Sequence, residues 1–535
     1  MAPRRLVAGI AGVHMTLQSR SQGASNRAPG FEILEELVSA GLANVDDANR
    51  MRPQLAEAVP TLESGTWKLF PDGSMETTWR IRSNARWHDG VPVSTDDVLF
   101  TAAVNQDPEL PRFRSSAFGF IDGVEALDPS TIRVRWNRPY IEADAFMTVR
   151  GTGTVPLPKH LLSETFETAK ARFGELPYWR EGFVGTGPYK VRDWSEDTRL
   201  ILRANPDYVL GKPKIDEIEI RLFSDTNTLI ANILAGELHA LMGRGVSLEQ
   251  AIEVRSKWRE GRVDTAPDAW VAVFPQMLNP NPAVIGDVTF RRALLHAVDR
   301  QEMVESIQHG LVPVAHGILN PTEPDYAAVE RDIVRYDYDP RRAAELIESL
   351  GHTRGGDGMF RAPGGLPLTV EVRTTGDDVQ QKSMLAVADA WQRAGVQVEQ
   401  SVIPRVRSVD REWRSVRPGF ELSRYPTNQT IDGMLRYHSS QAPVPANGFT
   451  GANKSRYISE ELDDLLDTYF AAIPQADRLR VFGRIVNHVS RQAVPLALFY
   501  DVRTAFFSHR VQGSSVAKVP SSTEVWNVQE WELKP

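Results

Sequence analysis

The 535-residue sequence contains no cysteine. Without cysteine the chain cannot form disulfides, thiolate metal sites or a lipid-modified cysteine. The absence of cysteine is compatible with an oxidising compartment, although the chain would form no disulfide there.

Long apolar runs and basic blocks are also missing. No stretch approaches the roughly 18 apolar residues that a membrane-spanning helix needs. The formal net charge is −8, and no basic block is interleaved with aromatic residues. We therefore do not expect nucleic acid as a partner.

The common catalytic signatures are absent as well. The sequence has no serine elbow, no cysteine nucleophile and no His-Glu-x-x-His zinc motif. Its 11 histidines are scattered, without an H-x₃-H pair. We therefore expect no enzyme activity, no cofactor and no metal site. A metal site assembled from distant residues such as His14 and His438 remains an alternative.

The amino-acid composition and the length are typical of a globular protein with more than one hydrophobic core. Hydrophobic residues make up 41% of the chain and charged residues 24%, and the length predicts at least two cores. Strand-like alternation at residues 131–136, 217–222 and 368–373 is interleaved with helical periodicity, for example at 339–351. Alternating strands and helices predict the α/β class.

The apolar run near the N-terminus has two interpretations. Residues 4–13 could form a short secretory signal with twin arginines, Arg4 and Arg5. We prefer the first strand of the mature fold, because His14 truncates the apolar core that a signal needs. In that case the export signal is not evident in this chain.

Three short segments carry the most specific information, through their order and flanking strands. They are Trp87-His88-Asp89-Gly90, Gly185-Thr186-Gly187-Pro188-Tyr189 and Asn205-Pro206-Asp207-Tyr208. Together they resemble the family 5 extracytoplasmic solute-binding proteins of ABC importers, which include oligopeptide-, dipeptide-, opine- and nickel-binding members. The segments Phe290–Leu294 and Ser455–Tyr457 are also similar to this family.

The resemblance implies a two-lobed periplasmic-binding-protein fold (type II, large cluster C form). Lobe I is expected from residues 1–45, 180–265 and 495–535, with an inserted subdomain at 46–179. Lobe II is expected at 266–494. The chain then crosses between lobes near residues 265 and 495, and these crossings form a hinge.

The resemblance also implies the function. We expect a periplasmic or cell-surface protein that captures a peptide or other small polar solute in the cleft between its lobes. It would deliver this solute to an ABC permease and ATPase complex, and we expect a monomer. Two other classes stay open: a sensing or regulatory protein on the same fold, and a hydrolase.

Family position and residue chemistry suggest the solute contacts. Peptide-binding relatives carry a Trp and, three residues on, an Asp for the peptide ammonium, and both are missing from residues 419–435. A buried ammonium without a carboxylate is costly, so a non-peptide solute (opine, sugar, organic acid or metal chelate) is plausible. Arg424 could pair with a carboxylate or phosphate of the solute. The predicted ligand-binding residues are His14, Thr16, Gln18, Trp270, Arg424, Tyr425, Asn428 and Gln429.

The pair His88 and Asp89 has a catalytic and a structural interpretation. The two side chains could form a proton relay, but no nucleophile motif accompanies them. The alternative is a tight turn, with Gly90 at positive φ and Trp87 packed beneath it. We predict the turn.

Overall fold

The computed structural model describes residues 3–12, 17, 31–148, 154–195, 198–427, 430–519 and 521–534. The chain divides into two compact units. Unit 1 contains Met1–Ala266 and Arg503–Pro535, and unit 2 contains Pro267–Val502. Within the described residues, no helix combines the length and apolar character that crossing a bilayer requires.

The strands alternate with helices along most of the chain, as the sequence predicts. The strands are β1 (Arg5–Ala11), β2 (Ala43–Val45), β3 (Met51–Pro53), β4 (Trp67–Leu69), β5 (Met75–Arg80), β6 (Ile121–Ala126), β7 (Thr131–Trp136), β8 (Tyr189–Ser195), β9 (Arg199–Ala204), β10 (Glu217–Phe223), β11 (Ala240–Leu241), β12 (Gly261–Pro275), β13 (Thr353–Arg354), β14 (Phe360–Arg361), β15 (Thr369–Thr374), β16 (Gln397–Val402), β17 (Phe420–Tyr425), β18 (Leu496–Ser508), β19 (Val511–Gln512) and β20 (Glu532–Leu533).

Several of the described α-helices begin at a polar residue that caps the first turn. Asp225 and Asp339, for example, accept hydrogen bonds from the backbone N–H groups of Thr228 and Arg342, which satisfies donors that a helix leaves unpaired. The helices are α1 (Phe31–Val38), α2 (Thr95–Gln106), α3 (Lys159–Thr168), α4 (Thr226–Leu234), α5 (Leu248–Lys257), α6 (Val288–His296), α7 (Arg300–Gln308), α8 (Tyr326–Val329), α9 (Pro340–Ser349), α10 (Asp378–Ala394), α11 (Arg411–Ser415), α12 (Ile431–Leu435), α13 (Glu460–Ala471) and α14 (Gln475–Gln492).

Unit 1 is built around a mixed sheet in the order β11-β1-β10-β9-β8. The apolar run of β1 lies in the centre of this sheet, parallel to β10. Leu6 belongs to the hydrophobic core on one face of the sheet, and Val7 belongs to a second apolar cluster. A strand covered on both faces needs a continuous apolar run. The preferred interpretation of residues 4–13, a strand of the mature fold, is therefore confirmed for the described part, Arg5–Ala11.

A second sheet in unit 1 has the strand order β4-β5-β7-β6, with antiparallel neighbours. It lies inside the segment 46–179, which the sequence predicts to be an inserted subdomain. The division of the chain into subdomains stays a prediction.

Unit 2 contains a sheet in the order β16-β15-β17-β12. Strand β15 is parallel to both of its neighbours, whereas β17 and β12 are antiparallel. Phe420 and Leu422 of β17 join the hydrophobic core with Trp391 of α10. Because side chains alternate along a strand, Glu421, Ser423 and Tyr425 of β17 lie on the opposite face.

The strands β12 and β18 each contain one of the unit boundaries. The first boundary lies between Ala266 and Pro267, and the second lies between Val502 and Arg503. The crossings expected from the sequence were near residues 265 and 495. Strand β18 thus contributes its residues up to Val502 to unit 2.

Candidate functional site

The candidate site in unit 2 is a charged cluster of Arg424 and two aspartates. The Nη2 of Arg424 donates to Asp268 Oδ2 at 2.6 Å, and its Nε donates to Asp501 Oδ2. The side chain of Asp268 is 3% exposed, that of Asp501 is 13% exposed and that of Arg424 is 29% exposed. With both carboxylates ionised, these three residues, named here the Asp–Arg–Asp cluster, carry a net charge of −1.

Each member of the cluster lies on a strand of unit 2 or on a strand that contains a unit boundary. Asp268 lies on β12 just after the first unit boundary, and Asp501 lies on β18 just before the second. Arg424 is the penultimate residue of β17. The fold therefore makes ion-pair partners of Arg424 from Asp501, which lies 77 positions away in the sequence, and Asp268, which lies 156 positions away.

Hydrogen bonds from neighbouring residues fix the two aspartates. Gln308, the last residue of α7, donates from Nε2 to Asp501 Oδ1 at 3.2 Å. Asn320 and Thr427 donate to the backbone carbonyl of Asp268 at 3.0 and 3.1 Å. Each oxygen of Asp501 thus accepts a hydrogen bond and keeps a second lone pair for another donor.

Burial and ion pairing act against each other in this cluster. Burial disfavours the charge of Arg424, but the two aspartates outweigh it and raise the pKa of this arginine above its ordinary value. Burial raises the pKa of Asp501, and Arg424 offsets that only in part. Arg424 therefore stays charged at any physiological pH.

The structure changes the interpretation of Arg424 as an anchor for an anionic solute. Its guanidinium already binds two carboxylates of its own chain, so an incoming carboxylate or phosphate would meet negative charge as well as positive. Asp268 and Asp501 lie far outside the segment 419–435, so the local sequence around Arg424 does not indicate them. The sequence did contain one indication of these two residues: Asp268 and Asp501 lie close to the predicted crossings near residues 265 and 495.

Arg424 and its neighbour Tyr425 enter two different clusters, since successive strand residues point to opposite faces. The hydroxyl of Tyr425 donates to the carbonyl of Ala452 at 2.9 Å. Its ring lies 5.1 Å from that of Phe274 and 4.5 Å from the guanidinium carbon of Arg436. The structure therefore does not bring Arg424 and Tyr425 together in one binding surface.

Trp270 pairs with Tyr425 in the register of β12 and β17. It is completely buried, and its Nε1 has no hydrogen-bond partner among the described residues. Its proposed role in the wall of a solute site stays a prediction. The other predicted contacts, His14, Thr16, Gln18, Asn428 and Gln429, lie outside the described residues.

A second charged cluster in unit 2 surrounds Glu421 of β17. Arg373 lies 3.1 Å from this carboxylate and Lys454 lies 3.7 Å from it, and Arg414 also forms an ion pair with it. Burial opposes the ionisation of Glu421, but Lys454, Arg417, Arg414 and Arg373 together hold its pKa at about 2. One carboxylate and four cations give this group, named here the Glu421 cluster, a net charge of +3.

In unit 1, the turn at His88 meets the Gly185–Tyr189 motif. The Nδ1 of His88 accepts a hydrogen bond from Gly185 N at 3.1 Å, so Nε2 carries the proton and donates to Gly187 O at 3.2 Å. Asp89 pairs with His160 at 2.7 Å. Gly90 has φ +94° and Trp87 is buried. The predicted structural turn is confirmed, and His88 is bonded to the backbone instead of serving a relay.

Burial lowers the pKa of His88 to about 3, which gives a pH-dependent stability. Between about pH 6.5 and 3, His88 binds a proton in the unfolded chain but not in the folded chain. The free energy of unfolding therefore falls as the pH falls. The slope from this group is about 1.4 kcal/mol per pH unit. We expect His88→Gln to unfold with a weaker acid dependence than the wild type in urea titrations over this range.

The exposed His509, also in unit 1, supplies the matched control for that experiment. His509→Gln should keep the acid dependence of the wild type. An identical pH dependence in His88→Gln and the wild type would contradict a His88 that stays neutral in the folded protein.

Among the described residues, no three histidine, aspartate or glutamate side chains group as metal ligands.

Comparison with known proteins identifies the family of this chain. Residues 51–449 match the family model described as bacterial extracellular solute-binding proteins, family 5. The oligopeptide-binding protein AppA of Bacillus subtilis is 21% identical over 94% of this chain and 87% of its own length. The heme-binding protein A of Haemophilus influenzae is 22% identical over 92% of this chain and 86% of its own length.

A solved structure supports the fold over the whole chain. NikZ from Campylobacter jejuni in complex with Ni(L-His) superimposes with a TM-score of 0.74 at 20% identity, covering 99% of this chain and 100% of that chain. The predicted α/β fold of a two-lobed periplasmic binding protein is thereby confirmed.

Proposed function

Because the chain belongs to the bacterial extracellular solute-binding proteins of family 5, the substrate-binding components of ABC importers, we propose that it works outside the cytoplasm and delivers a small polar solute to a membrane permease with its ATPase. Members of this family are binding proteins and not enzymes. The family match, which covers residues 51–449, is the observation that carries this function.

Family membership does not select the solute. The names of the relatives refer to oligopeptides and heme, and the solved neighbour holds nickel with histidine. The chemistry of the solute therefore has to be argued from the residues of this chain.

The Asp–Arg–Asp cluster supports a solute with a cationic group. Asp501 shares the guanidinium of Arg424 with a second carboxylate, so that arginine balances its charge only in part, and an ammonium or guanidinium group of the solute would complete the pairing. Asp501 is more exposed than Asp268 and retains accepting capacity on both oxygens. We assign the contact with the solute cation to Asp501. This assignment replaces the expectation of an anionic solute.

Native mass spectrometry of gently purified protein tests this proposal. We expect a stoichiometric adduct that is lost on denaturation, and a released molecule that carries an amine or guanidine. A released solute without a cationic group would contradict the assigned chemistry. If neither an adduct nor a thermal shift with peptides, opines and metal chelates were found, solute capture itself would be contradicted.

A further inference from the structure

A small pocket in unit 2 lies against the Glu421 cluster. Its lining includes two cationic side chains and three aromatic rings: Arg436, Lys454, Tyr425, Tyr437 and Tyr457. The enclosed space is about that of one water molecule. Any occupant is therefore a single water molecule or a monatomic ion of similar size, and an organic solute does not fit.

The two cations of the lining offer donors to an occupant of this pocket. The Nε of Arg436 is buried and has no hydrogen-bond partner among the described residues. An arginine Nε has a hydrogen and no free lone pair, so it can only donate, and a buried donor without an acceptor costs stability. The ammonium of Lys454 has three donors and uses one of them on Ser423 Oγ at 2.7 Å. The pocket therefore needs an occupant that accepts hydrogen bonds.

The charge around the pocket favours an anion as that acceptor. The Glu421 cluster, to which Lys454 belongs, has a net charge of +3, and burial leaves the pKa of Lys454 at about 8, so this lysine is charged at pH 7. Arg436 adds a further positive charge. Its guanidinium carbon lies 4.5 Å from the ring centre of Tyr425, and the ammonium of Lys454 lies 5.1 Å from the same ring. A ring attracts cations but has no net charge, so it does not balance them.

We propose that this pocket binds one chloride ion, which accepts from Arg436 Nε and from the ammonium of Lys454. A chloride ion accepts several hydrogen bonds and donates none, so it suits a place where the unpaired groups are donors. The positive edges of aromatic rings are also compatible with an anion. The ion offsets part of the positive charge of the Glu421 cluster. This site is separate from the Asp–Arg–Asp cluster, which favours the opposite charge.

Diffraction from crystals grown in sodium bromide tests the site directly, because bromide replaces chloride and scatters anomalously at its absorption edge. We expect an anomalous peak inside the pocket, within hydrogen-bond reach of Arg436 Nε and Lys454. A water molecule in that place, with anomalous peaks only on the protein surface or nowhere, would overturn the proposal.

Thermal denaturation tests the binding in solution, with sodium chloride compared with sodium gluconate at the same ionic strength. Gluconate is too large for the pocket. We expect a saturable, chloride-specific rise in Tm of about 3–6 °C, the shift that a ligand at about ten times its dissociation constant gives a unit of this size. Without such a rise, a bromide peak in the crystal would be an adventitious ion only, and the proposal would be overturned.

One variant assigns the effect to this pocket. Arg436→Met removes the unpaired donor and its charge at a similar side-chain length, so the fold should be retained while the chloride-specific rise in Tm is largely lost. Arg484→Met, on the exposed side of α14, is the matched control and should keep the full rise. An equal rise in the two variants would place the chloride elsewhere and overturn the assignment.

Discussion

Glu421→Gln is expected to lower the free energy of unfolding of unit 2 by about 3–5 kcal/mol. The carboxylate of Glu421 is 4% exposed and is shared by Arg373, Arg414 and Lys454. A glutamine preserves the shape but removes the only negative charge of the Glu421 cluster. The remaining four cations then repel one another around the buried Arg373 and Arg417, where water screens charge poorly, which is the reason for the large effect.

Denaturant unfolding at neutral pH measures this loss. Glu399→Gln, on strand β16 of the same sheet, is the control because Glu399 is exposed; it should change stability by less than about 0.5 kcal/mol. The contribution of Glu421 is present above its unfolded pKa near 4.5 and is lost as the pH falls toward 2. Equal stability of the Glu421 and Glu399 variants would contradict the assigned role of Glu421.

The sequence predicts local structure well where the cause is local. The helix within residues 339–351 and the positive φ of Gly90 could be predicted, because each depends on a few neighbouring residues. The buried strand β1 could also be predicted, since a strand covered on both faces requires an apolar run. The contact of His88 with the Gly185–Tyr189 motif joins residues 97 positions apart, and no local pattern indicates it.

The candidate site was harder to predict for the same physical reason. Ion-pair partners are selected by distance in space, and Arg424 finds Asp268 and Asp501 only when three separate strands come together. The local segment 419–435 therefore suggested an arginine available to an anion. The Glu421 cluster was missed in the same way, because Arg373 and Lys454 come from distant parts of the chain.

Asp501→Asn is expected to weaken the binding of the recovered solute by about tenfold to a hundredfold, since a hydrogen bond to a charged group contributes roughly 1.5–3 kcal/mol. The substitution brings the net charge of the Asp–Arg–Asp cluster from −1 to 0. The amide oxygen of asparagine can still accept from Arg424 Nε, so the fold should be retained. Isothermal titration measures the affinity, and circular dichroism checks the fold.

Asp389→Asn is the matched control for this variant. Asp389 is an exposed carboxylate of unit 2, paired with Arg393 on α10, and its removal should leave solute affinity unchanged. A loss of affinity that was the same in both variants would reflect the overall charge of the protein and not a contact at Asp501.

The most direct test of the account is a titration of the wild-type protein with the recovered solute and with its amine-acetylated form. Acetylation removes the positive charge and leaves the rest of the molecule in place. We expect the acetylated form to bind at least tenfold more weakly, and we expect this difference to shrink in Asp501→Asn. Equal affinity of the two forms for the wild-type protein would contradict a solute held through its cationic group.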